Sequence, residues 1–65
     1  MSSRFMMPLT SPIHLHTAML EGTPIAVFQG QEMIGSGKIV QITDYVVKIG
    51  DEFFVRDACL FKYLS

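Results

Sequence analysis

The sequence predicts a mainly β domain, a short N-terminal helix followed by five strands bent strongly enough to close into a small β-barrel. Three observations point there. Strand-forming residues dominate from Pro24 to Tyr63, two glycines (Gly35 and Gly37) interrupt the longest run, and Gly50-Asp51 separates two alternating runs. Interior glycines mark bulges or bends that let a sheet curl on itself, and a Gly-Asp pair between alternating segments is a hairpin turn.

Residues 1–12 carry two prolines, four Ser or Thr and no periodicity. They read as a flexible arm ahead of a domain spanning residues 13–65. A helix is predicted from Ile13 to Glu21: Ser11-Pro12 suits a helix entry, Ile13, His16, Met19 and Leu20 recur at helical spacing, and Gly22 supplies the stop. So short a helix is stable only when packed on something. Strands are predicted at residues 24–29, 33–42, 45–49, 52–56 and 59–63. In the third, Tyr45, Val47 and Ile49 share one face, with Val46 and Lys48 on the other; in the fourth, Phe53 and Val55 oppose Phe54 and Arg56. Neither face is wholly polar, which places one in the core and the other under the helix or another subunit.

With 65 residues the chain makes one small domain, near the size at which a single core stabilises only marginally. Such domains need a disulfide, a metal or association with other subunits. Cys59 is the one cysteine, which excludes an internal disulfide and a cysteine-based zinc site and leaves oligomerisation. Between Ala58 and Leu60-Phe61, its thiol reads as a small buried hydrophobe. The formal net charge of −1 excludes a broadly basic surface that grips nucleic acid by phosphate neutralisation alone. Arg4 is followed by too short an apolar run for a signal peptide, and no run reaches membrane-spanning length, so a cytoplasmic protein without a membrane partner is expected.

Enzyme signatures are absent. Gly35-Ser36-Gly37-Lys38 lacks the spacing of a phosphate-binding loop, and Asp44, Asp51, Glu52 and Asp57 fall in turns where acidic residues are ordinary. His14 and His16 have no Cys, Asp or third His beside them, and a spacing of two on a helix points them apart. No catalytic residue, metal or cofactor is therefore expected.

From Thr17 to Ser65, about three quarters of the chain, the plan of helix plus five bent strands resembles the Sm-like (LSm) family, the bacterial Hfq branch most of all. The family's first motif has a glycine in the second strand, an Asp six positions on and, in Hfq, an aromatic residue eight positions on. Here Gly37 is followed by Thr43 and Tyr45, so the aromatic position matches and the Asp position does not. The second motif reads aromatic-Lys-His-Ala in Hfq and hydrophobic-Arg-Gly elsewhere. Val55-Arg56-Asp57-Ala58 keeps the cation and the Ala but lacks the aromatic and the His. An Asp next to the cation weakens the positive field that a uridine-rich strand would meet.

The resemblance implies a homo-oligomeric ring, hexameric or heptameric, in which the fourth strand of one subunit pairs with the fifth of the next. Phe53, Phe54 and Val55 with Cys59, Leu60 and Phe61 would form that junction, as the apolar texture of these two strands also suggests. It further implies single-stranded, uridine-rich RNA at a central pore, with Tyr45 stacking on a base, Arg56 holding base or phosphate, and Lys38 extending a basic rim. Two ordinary roles stand beside these. Tyr45 fits a half-buried strand aromatic with Arg56 paired to Asp57 or Glu52, and Lys38 and Lys48 fit solubilising residues. The alternative function is a β-barrel interaction or structural module that binds no nucleic acid.

Overall fold

The structure, a computed structural model, describes residues 4–64. The chain is mainly β, with one short N-terminal helix and a five-stranded antiparallel sheet. The elements are α1 (Pro12–Glu21), β1 (Pro24–Gln29), β2 (Glu32–Ile42), β3 (Val46–Ile49), β4 (Glu52–Val55), a single 3₁₀ turn (Arg56–Ala58) and β5 (Leu60–Tyr63).

Helix α1 is capped at both ends. The Ser11 hydroxyl accepts from the His14 amide, and Gly22 in the left-handed region closes the helix with Gly22 N–H to Met19 O and Thr23 N–H to Ala18 O, the pattern that satisfies orphan carbonyls at a helix end. The packed face differs from the expected one. Leu15 and Ala18 are buried and Met19 packs beside them, whereas Ile13 and Leu20 are 74% and 83% exposed. The helix is apolar on more than one side, so its phase is set by what the sheet offers. Leu15 and Ala18 meet Ile25, Val27, Phe61 and Tyr63 in one hydrophobic core.

The strand order is β4-β3-β2-β1-β5. Long strand β2 is shared lengthwise: its first part, up to Lys38, pairs with β1, and its last part, from Ile39, pairs with β3. Register shifts at Val27/Phe28 and at Ile39/Gln41 bend the sheet twice, as bulges do. Between them lie the two glycines, needed for different reasons. Gly37 has a φ of 145°, outside the range open to ordinary residues. Gly35 leaves room for Phe54 of β4, whose Cζ would lie 2.5 Å from a Cβ placed there. Through this contact β4 touches β2 across the interior, although the two strands share no ladder. The sheet itself is not closed: β4 pairs only with β3, and β5 pairs with β1.

Residues 6–9, read from the sequence as part of an arm, lie along the outer edge of β5. Met6 N–H donates to Tyr63 O (2.6 Å), Tyr63 N–H to Met7 O (3.0 Å) and Leu9 N–H to Phe61 O (2.8 Å), with Pro8 opposite Lys62. Leu9 is buried in the core. Arg4 sits 3.6 Å from the Glu21 carboxylate and 4.6 Å over the Tyr63 ring. Among the described residues no helix is long and apolar enough to cross a membrane.

Candidate functional site

Tyr45 and Arg56 are brought together. The turn after β2 and the 3₁₀ turn after β4 meet at one end of the sheet, where Arg56 N–H donates to Tyr45 O at 2.8 Å. The link follows from the β3–β4 register: Val46 faces Val55, and the next pair outward is Tyr45 with Arg56. Tyr45 precedes β3 rather than belonging to it. Val47 and Ile49 are buried, but Tyr45, expected beside them, is 76% exposed.

Thr43 builds the turn that presents it. Its Oγ1 accepts from Tyr45 N–H (3.2 Å) and Val46 N–H (3.0 Å) and lies 3.3 Å from Val46 O, to which it donates; Thr43 N–H also donates to Val46 O at 2.9 Å. One hydroxyl thus satisfies amides that strand pairing leaves open, the local role Ser and Thr take in turns. Arg56 completes the arrangement by donating from Nη1 to Thr43 O at 2.7 Å. It makes no ion pair with Asp57 or Glu52; the salt bridge among the described residues is Arg4 with Glu21. A guanidinium has five donors in a fixed fork, so one bond to Thr43 leaves others for a ligand. Sequence reasoning marked Thr43 only as a mismatch, although a Thr-Asp-Tyr stretch between strands carries the turn signal that would have found it.

The remaining cations are dispersed. Lys38 is exposed in mid-β2 opposite Pro24, away from the turn that carries Tyr45. Lys48 lies 5.3 Å over Phe53 and Lys62 lies 4.8 Å over Phe28, each spending its charge over an aromatic face. Asp44 and Asp57 are exposed on the same two turns as Tyr45 and Arg56. Positive charge at the site therefore rests on Arg56.

Beside Arg56 a cleft of about 170 Å³ separates the start of α1 from the 3₁₀ turn, with Ser11, Pro12 and Leu15 on one wall and Asp57, Cys59 and Leu60 on the other. Cys59 is half-buried. His14 turns its Nδ1 to the Thr10 amide at 3.2 Å, and among the described residues no three His, Cys, Asp or Glu side chains are grouped to hold a metal ion.

The six residues expected at a subunit junction divide by face. Phe54 and Phe61 point into the core, the former 7% exposed, while Phe53 is 60% exposed and Val55 and Leu60 lie open beside their strand edges. Compared with family models, curated proteins and solved structures, the chain matches none.

Proposed function

We propose that the chain is an Sm-like, Hfq-like subunit whose bent sheet acts as a small barrel, associates edge to edge into a homo-oligomeric ring and binds single-stranded, uridine-rich RNA. The observation that carries this reading is the Arg56–Tyr45 main-chain link, which joins the two turns that carry an exposed tyrosine and an arginine. Stacking on Tyr45 would tolerate any base, and Arg56 would add a charge-assisted donor to base or phosphate. A ring repeats this pair once per subunit, so modest contributions add without a basic chain. The strand order puts β4 and β5 at opposite ends of the sheet, as such a junction requires, although residues 6–9 lie along the β5 edge; the Phe54–Gly35 contact fits barrel-like closure.

The test is a titration of oligo-U and oligo-A across a salt series. Tyr45→Ala is expected to weaken binding by about 1 to 3 kcal/mol per stacked base, roughly 5- to 150-fold. Arg56→Ala should weaken it and flatten the salt dependence. No binding at low salt, or binding that both variants leave unchanged, ends the RNA reading. One observation favours the alternative of an interaction module without nucleic acid: Asp44 and Asp57 put two exposed carboxylates on the turns that carry the one cation, while Phe53 and Val55 are exposed on β4.

A further inference from the structure

The two edges of the sheet differ in what occupies them. On β5 the outward main-chain groups belong to Phe61 and Tyr63, and residues 6–9 take three of them: Phe61 O, Tyr63 N–H and Tyr63 O. On β4 the register pairs Glu52 with Ile49 across the two-residue turn, so main-chain bonding alternates and the groups of Phe53 and Val55 face outward. Their side chains are exposed as well. One edge is capped by the chain's own N-terminal segment, and among the described residues nothing pairs with the other.

The cap is held by three main-chain bonds and one buried side chain, and it is poorly suited to further pairing. Leu9 is its one buried residue, while Met6, Met7 and Pro8 are exposed. Pro8 has no N–H to offer on the outer side, so another strand adds there badly. Upstream, Met7 N–H donates to Arg4 O at 2.9 Å, closing a turn in which Met6 takes a φ of 65°. Such turns prefer glycine at this position, and a side chain there stores strain. Strand β4 has the same length as the capping segment, donors at every residue, and two apolar side chains that lose water on docking.

We infer that residues 6–9 are an exchangeable guard of the β5 edge, which must leave before β4 of a second copy can pair there. The guard rests on the edge-to-edge reading above and adds a control to it: the chain holds its own assembly surface shut, and assembly exchanges an intramolecular strand for an intermolecular one. An exchange of this kind makes association weaker than the junction alone would give, by the fraction of time the edge is free.

A disulfide across Pro8 and Lys62 tests this. The bonds Leu9 N–H to Phe61 O and Tyr63 N–H to Met7 O flank that pair, making it the closely spaced kind, with Cα atoms about 4.5 Å apart, within disulfide reach. The protein carries Cys59→Ser, Pro8→Cys and Lys62→Cys, and its mass is followed by light scattering over a concentration series, oxidised and reduced. The reduced form should assemble and the oxidised form should stay monomeric, while removal of residues 1–8 should lower the assembly midpoint about tenfold or more. Oxidised protein that assembles like the reduced form overturns the guard and leaves edge-to-edge association standing. Monomers in all three removes the association itself. If the truncated chain fails to fold by circular dichroism, the redox pair decides alone.

Discussion

Strands β4 and β5 both end the sheet, yet they are held from opposite sides. β4 is anchored from within: Phe54 reaches across the interior to the backbone of Gly35, and among the described residues no strand pairs with its outer edge. β5 is held from both sides, by β1 within and by residues 6–9 outside, with Phe61 and Tyr63 in the core. A short strand without a second ladder partner therefore depends on one large side chain, whereas a doubly paired strand spreads the same task over backbone bonds. In so small a domain the difference is consequential, because stability of about 0.05 to 0.15 kcal/mol per residue leaves only about 3 to 10 kcal/mol in total.

The largest effect should follow from cutting the anchor of β4. Phe54→Ala removes a buried ring and is expected to lose about 3 to 5 kcal/mol, enough to leave much of the population unfolded. Phe53→Ala, one residue away on the exposed face, should change stability by about 1 kcal/mol or less, chiefly through the lost contact with Lys48. Urea denaturation followed by circular dichroism compares the two, and equal losses would show that β4 is not held by its inward face.

The neighbouring Phe53 and Phe54 also mark where sequence reasoning stops. The strand over Pro24 to Gln29, the helix from its Ser11 entry to its Gly22 stop, the Gly50-Asp51 hairpin and the bend at Gly35 and Gly37 were all legible, because caps, turn residues and interior glycines act locally. Which of two adjacent phenylalanines points inward follows from the hairpin register and from the space at Gly35, and neither is local. The exposure of Ile13 and Leu20 has the same origin, since a helix apolar on several sides takes its phase from the sheet. Tyr45 is exposed in the hydrogen-bonded turn that Thr43 builds between β2 and β3. Residues 6–9 carried no strand signal, and only the unfilled edge of β5 gives them an extended conformation. The pairing of Tyr45 with Arg56 came from family resemblance; from residues alone they were two unrelated positions on different strands.

An intermediate effect is expected on the β5 side. Leu9→Ala removes the capping segment's buried residue, and because Leu9 also lines the open cleft beside α1, the loss should sit near the low end for such changes, about 2 kcal/mol. The distinguishing readout is local. Amide exchange at Tyr63, whose N–H is bonded to Met7 O, should accelerate more than exchange at Phe54 on β4. Uniform acceleration of both would mean that the segment is part of the global core rather than a separately released strip.

The smallest effect should come from the ion pair that ties this segment to α1. Arg4 and Glu21 approach to 3.6 Å with side chains 47% and 53% exposed, a setting in which solvent screens the attraction and both side chains lose freedom to keep it. Glu21→Gln is therefore expected to change stability by about 0.5 kcal/mol or less, and the change should vanish in high salt. Arg4→Ala should cost somewhat more, because it also removes the guanidinium from the face of Tyr63 at 4.6 Å, a contact worth about 0.5 to 1 kcal/mol at exposed sites and less dependent on salt. Thermal melts of the two variants at low and high salt separate these contributions. If Glu21→Gln proved as damaging as Leu9→Ala, the hold on the β5 edge would be electrostatic rather than a matter of backbone pairing and one buried leucine, and the contrast with β4 would have to be drawn on charge.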